Sequence, residues 1–205
     1  MYLTKTPDIL KPLARDLVWS VRTSQKEVFL TFDDGPTPHV TDEVLDLLKT
    51  YNARATFFCL GKNVQTSPDL YQQILASGHR TGHHTWDHPD GWKTGITSYL
   101  KNVMQAHQLI DSRLFRPPYG RITPAQVKAL KTRFDIIMWD VLSADFDASN
   151  TSEKCFRNVR NNAKSGSIIV FHDNLKSKNN MIPSLKMSLH YFREEGYTLH
   201  ALPFK

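Results

Sequence analysis

Cysteine is scarce in this sequence. Cys59 and Cys155 are the only two in 205 residues, which excludes a dense disulfide framework and a thiolate metal site. Cys59 lies in the apolar run "ATFFCL", a setting for a small buried residue. Long hydrophobic runs are also missing: "SIIVF" at 167–171 falls far short of the roughly 20 residues that cross a bilayer, so no transmembrane segment is expected. The opening "MYLTKTPDILKPLARDL" lacks the unbroken apolar core of a secretory leader, because Lys5, Pro7, Asp8, Lys11 and Pro12 interrupt it. The cytoplasm is the location this predicts. Basic residues outnumber acidic ones by 26 to 20, but they are scattered and form no tract of five. The formal charge of +6 therefore describes a soluble basic surface, and no nucleic-acid partner is expected. Internal repeats, low-complexity segments and linkers are absent as well.

What remains is ordinary for a folded enzyme-sized domain. With 40% apolar and 22% charged residues, the chain can bury a real core and is too short to split readily into two. Strand patterns fall at 28–33, 54–60, 81–85, 114–116, 135–141, 167–172 and 197–201, several of them nearly continuous in apolar or β-branched residues, as in strands covered on both faces. Helical patterns fall between them, near 41–51, 68–77, 97–112, 123–132, 152–163 and 181–195. Thr41 and Ser67 read as N-caps, Pro68 as a first-turn proline and Gly78 as a stop, and "TPAQVKAL" repeats the cap-and-proline device. Strands alternating with helices predict a mainly parallel sheet, open or barrel-like, with ligands at the carboxyl ends of the strands.

The unusual polar residues collect at those ends. Asp33 and Asp34 close the first strand, where two adjacent like charges repel and local stability offers no reason for them. The Gly35-Pro36 turn that follows can let both carboxylates face one rim, one to hold a cation and the other to take a proton. His84 and His88 of "HTWDH" have the spacing of a helical zinc pair, but Thr85 stands where that motif needs Glu, and Pro89 biases His88 away from helix. A loop can still converge both imidazoles on a metal, and one carboxylate would complete a His, His, Asp set with an open position for water. "FRPPYG" is a rigid turn that can aim Arg116 at a carboxylate and the Tyr119 N–H at a reacting oxygen. His172, at the end of "SIIVFH", is the candidate proton donor.

Taken in order, "TFDDGP", "HTWDH", "RPPYG", "WDVLSADF" and "IIVFHD" resemble the five motifs of the polysaccharide deacetylases of carbohydrate esterase family 4, the NodB-homology domain. The resemblance runs over roughly 28–200. It implies an α/β fold, a single-domain distorted (β/α)7 barrel over 28–205, with 1–27 as an N-terminal extension packed on it. It implies a metal-dependent hydrolase that removes N-acetyl groups from an amino-sugar polymer or oligomer, peptidoglycan or chitin-like, and releases acetate. By position, Asp34, His84 and His88 would hold a divalent metal, most often Zn2+, with Co2+ or Mn2+ as alternatives. Asp33 would be the general base oriented by Arg116, and His172 the general acid. The Tyr119 N–H would face the oxyanion, and Phe146 and Val170 would wall the acetyl methyl. The partner implied is an N-acetylated glycan, and the oligomeric state is not legible.

The match departs at two places. Leu142 stands where the resemblance leads one to expect an aspartate paired with the acid histidine, and Phe146 replaces a tryptophan. Asp140 or Asp145 then has to pair with His172, or its pKa falls. His79 and His83 lie beyond the motif pair, and strand alternation points His83 away from His84. Three other readings compete: a non-haem iron oxygenase with the same ligand types, a catalytically silent glycan-binding domain, and a deformylase or deacetylase of a lipid-linked amino sugar.

Overall fold

The structure is a computed structural model, which describes residues 2–7, 9 and 14–204. Its elements follow in the order β1 (Leu17–Val18), β2 (Glu27–Asp33), α1 (Thr41–Thr50), β3 (Thr56–Cys59), α2 (Gly61–Thr66), α3 (Pro68–Ala76) and β4 (Arg80–His83). Then come α4 (Ile96–His107), β5 (Leu114–Phe115), a 3-10 turn (Pro118–Gly120), α5 (Pro124–Leu130), β6 (Asp135–Ile137) and β7 (Val141–Leu142). α6 (Ser152–Asn162), β8 (Ile168–His172), α7 (Lys178–Glu194) and β9 (Thr198–Leu199) complete the order.

The sheet runs β1-β6-β5-β4-β3-β2-β8-β7, with each of these pairings parallel. β2 through β8 supply the seven strands of a distorted (β/α)7 barrel. The sheet curls far enough that the chain leaving β1 bridges Ser20 to Ser167, just ahead of β8. At the other edge Lys5 bridges Val141 of β7 in antiparallel fashion. Among the described residues no helix is long and apolar enough to cross a membrane.

Side-chain alternation along β2 sorts the core into layers. Val28, Leu30 and Phe32 point outward and pack with Val44, Leu48, Ile74 and Leu189 of the surrounding helices. Phe29 points inward with Phe58, Leu114, Ile137, Ile168 and Leu202. A third cluster seats α4 and α5 through Tyr99, Val103, Leu130 and Phe134. Thr31 and Asp33 share the inward face of Phe29, so the period of the strand itself delivers Asp33 into the barrel mouth.

Three expectations are corrected. The predicted strand 135–141 is two strands, because the chain breaks at Met138–Asp140 and β7 crosses to pair β8. The predicted strand 197–201 is only Thr198–Leu199, and it pairs the start of β2 outside the main order. Thr41 is the first residue of α1 and not its cap; its hydroxyl bonds Asp173 instead. Ser67 occupies the cap position of α3 without a side-chain cap bond, whereas Thr123 and Gln126 form a full capping box on α5.

Candidate active site

Arg116, at the exit of β5, fills the centre of the barrel rather than a surface turn. It is fully buried. Its Nη1 donates to Asp33 Oδ1 at 2.6 Å and to Thr31 Oγ1 at 2.7 Å, while Nε and Nη2 donate to the carbonyls of Ile137 and Met138. The guanidinium lies over the Phe58 ring at 4.1 Å. A buried charge is tolerable only when paired and saturated with hydrogen bonds, and this one is. Burial lowers the Arg116 pKa and Asp33 opposes that fall.

Asp34 sits at φ 82, a left-handed conformation uncommon outside glycine, and its carboxylate and that of Asp33 both lie close enough to act on His84 and His88. Its Oδ2 accepts from Asn174 Nδ2 and its carbonyl from Asn63 Nδ2, both at 2.7 Å. Its Oδ1 faces His88 Nε2 at 3.3 Å and His84 Nε2 at 3.7 Å. The Arg116 carbonyl lies 2.8 Å from His84 Nδ1 and can only accept, so that nitrogen carries the proton and Nε2 presents a lone pair. Burial lowers the pKa of both histidines, that of His88 to about 4, so both rings are neutral near pH 7.

One ligand atom from each of Asp34, His84 and His88 lies within 4.8 Å of the others. Asp34 Oδ1 is buried with no hydrogen-bond partner. A carboxylate oxygen left unpaired opposite two imidazole lone pairs fits a divalent cation and little else. The backbone is strained to make this arrangement: Thr85, a β-branched residue, sits at φ 70 and His88 at φ 68, and Thr85 Oγ1 accepts from the His88 N–H at 3.1 Å.

His172 closes β8 in register with Asp33. Its Nδ1 bonds Asp145 Oδ1 at 2.7 Å, and its backbone N–H bonds Asp145 Oδ2 at 2.8 Å. Burial alone would lower the His172 pKa, but the Asp145 carboxylate overrides it and pushes the pKa to about 9. Asp145 is therefore the partner that bonds His172 in place of an aspartate at Leu142. Leu142 is buried in β7, paired in register with Val170. Asp140 is engaged elsewhere, by Lys5 Nζ and Ser167 Oγ, each at 2.6 Å.

The remaining predicted residues surround this group. Phe146 meets His172 edge-on at 5.2 Å, and Tyr119, at φ 58, meets His88 edge-on at 4.5 Å. Val170 lies two residues before His172 on the inward face, buried. His83 does point away, its Nε2 on the Ser112 carbonyl and its ring against Phe134. His79 Nδ1 accepts from the Ala55 N–H.

Asp173, the last residue of the motif "IIVFHD", has no part assigned to it from the sequence. It accepts from the Gly35 N–H at 3.1 Å and from Thr41 Oγ1 at 2.5 Å, and burial raises its pKa to about 8. Thr31, Asn63 and Asn174 were missed, since a threonine in a strand and asparagines in loops carry no distinguishing pattern.

A parallel barrel-like sheet whose carboxyl rim carries a carboxylate and dihistidine cluster, between a buried Asp–Arg pair and a buried His–Asp pair, defines a hydrolase of the metal-assisted type. The sequence model of the polysaccharide deacetylase family matches residues 20–133. The peptidoglycan-N-acetylglucosamine deacetylase of Bacillus cereus is 33% identical over 188 residues, 88% of either chain. The peptidoglycan-N-acetylmuramic acid deacetylase PdaC of Bacillus subtilis is 36% identical over 160 residues, 75% of this chain and 34% of that protein. The crystal structure of the Bc1960 peptidoglycan N-acetylglucosamine deacetylase superposes with a TM-score of 0.88 at 29% identity, covering 97% of this chain and 95% of that one. The chain belongs to the polysaccharide deacetylase family, carbohydrate esterase family 4.

Proposed function

We propose that this protein hydrolyses the N-acetyl group of amino-sugar residues in a peptidoglycan-type glycan, with Asp34, His84 and His88 holding Zn2+. The observation that carries this reading is the placement of two oppositely poised proton carriers beside one cluster. Asp33 is held by Arg116, and His172 is held protonated by Asp145. A bound divalent ion would polarise the acetamide carbonyl and make water easier to deprotonate.

The chain's own residues then divide the proton work. Asp33, held in place by its bond from the Arg116 guanidinium, takes a proton from the attacking water. Water oxygen bonds to the acetyl carbon as the carbonyl oxygen gains charge, and the Tyr119 backbone N–H is the donor at that oxygen, a contact worth about 3–4 kcal/mol in other hydrolases. The C–N bond breaks with transfer of the His172 proton to the departing nitrogen, leaving acetate and a free amine. Phe146 and Val170 present apolar surface to the acetyl methyl. The intact ligand set and both proton carriers favour this over a silent glycan binder.

The test is acetate release from a panel of N-acetylated glycans: peptidoglycan, chitin oligomers, and a lipid-linked amino sugar. Protein should be assayed as prepared, after chelation, and after Zn2+, Co2+ or Mn2+ is restored. Activity on peptidoglycan, lost on chelation and regained best with Zn2+, is the expected result. No acetate from any substrate with the metal bound would remove the proposal.

A further inference from the structure

Trp92 is 66% exposed and Tyr119 59%, large aromatic surfaces left in water beside the site. Neither is loose. The Trp92 N–H donates to Asp90 Oδ1 at 3.0 Å, and its indole Nε1 reaches the Ile122 carbonyl at 3.4 Å. Arg121 Nη1 bonds Asp90 Oδ2 at 2.5 Å, and its guanidinium lies 5.2 Å from the Trp92 ring and 5.4 Å from the Tyr119 ring. Gly91 packs so closely that a Cβ there would meet the Arg121 carbonyl oxygen at 2.2 Å. The Tyr119 ring in turn touches that of His88 at 4.5 Å. A continuous ridge of π-surface and guanidinium thus leads from a candidate metal ligand out to an exposed indole.

We propose that Trp92, Arg121 and Tyr119 form a shelf that binds further sugar rings of the same N-acetylated glycan, beyond the ring whose amide is cleaved. This rests on the deacetylase reading above. A pyranose offers a flat face of C–H bonds and an edge of hydroxyls, and the shelf offers an open aromatic face with the Arg121–Asp90 pair at its edge to donate and accept. Asp90 offsets the charge of Arg121, which weakens the phosphate attraction that nucleic-acid binding needs. The shelf is also far narrower than a stable protein interface, which buries about 800 Å² per partner. A polymer threading from the cleavage point is the occupant that fits both chemistry and continuity.

Two measurements test it. The first is kcat/KM of the Zn2+-loaded protein on N-acetylglucosamine oligomers from dimer to hexamer, for the wild type, Trp92→Ala and Trp92→Phe. The second is calorimetric binding of the hexamer to metal-stripped protein with and without Trp92→Ala. The wild type should favour longer oligomers, and Trp92→Ala should cut the hexamer-to-dimer ratio of kcat/KM roughly tenfold, mostly through KM, with Trp92→Phe retaining most of it. Hexamer affinity should fall by a similar factor at unchanged Tm. An unchanged length profile and unchanged affinity in Trp92→Ala overturn the shelf while leaving the deacetylase reading intact. If the wild type cleaves no oligomer, the deacetylase reading is decided by the peptidoglycan assay above, and the calorimetry still decides the shelf by whether Trp92→Ala weakens hexamer binding.

Discussion

At the scale of single residues, the informative pair is His172 and Asp145. An imidazole sealed in a protein is normally neutral at pH 7, and a neutral His172 could not protonate a leaving nitrogen. The carboxylate at 2.7 Å reverses that, and a pKa of about 9 keeps the acid loaded across the neutral range. Asp145→Asn should lower kcat/KM by roughly 10²-fold, within the range that general acid catalysis supplies. It should also move the alkaline limb of the pH–rate profile to lower pH, because the imidazolium loses the charge that stabilises it. An alkaline limb that stays in place would show that His172 is not the acid. Sequence brought the reading to two candidates, Asp140 and Asp145, and could go no further. Choosing between them needs the break after β6 and the bond from Lys5 to Asp140, a contact that joins residues 135 positions apart.

At the scale of elements, helices with their own end signals were legible. Thr123 with Gln126 is a local device that the cap-and-proline pattern finds, whereas Thr151, which accepts from the Lys154 N–H, is not read as a cap from the sequence. α2 was not found, because "GKNVQT" carries neither a capping side chain nor an apolar stripe, and only Gly61 and Val64 are buried. The loop after β2 shows the same division. Its composition announced a turn, but the reason for glycine at 35 lies across the barrel, where a Cβ would stand 2.1 Å from Asp173 Oδ2. Gly35→Ala must push the loop off Asp173 and shift the adjacent Asp34. The expected outcome is a lower Tm and, in a competition titration with a chelating dye, metal affinity weakened by roughly 10-fold or more, on the scale of losing an outer-shell support. Unchanged metal affinity would show that Asp34 is placed without the Gly35–Asp173 contact.

At the scale of the whole molecule, several buried ionisable groups set how stability depends on pH, and their signs differ. Burial holds His79, His83 and His88 at about 4, against 6.5 when exposed. Between those values the unfolded chain binds protons that the folded chain refuses, so the stability these groups contribute is full above pH 6.5 and is lost as pH falls toward 4. His172, raised to about 9, works the other way: its contribution is full below 6.5 and is lost as pH rises through 9. Asp173, held neutral up to about 8 where a free aspartate ionises near 3.8, also costs stability as pH rises between those values. Below 6.5 three histidines outweigh one aspartic acid and stability climbs with pH. Above it, His172 and Asp173 act together and stability declines. Each unbalanced proton contributes about 1.4 kcal/mol per pH unit. Urea denaturation of chelated protein at steps from pH 4.5 to 9 should therefore give a maximum near 6.5. Asp173→Asn should flatten the alkaline descent, and His79→Gln should flatten the acid one. A free energy of unfolding that kept rising from pH 6.5 to 8 would mean that His172 and Asp173 are not protonated in the folded protein there.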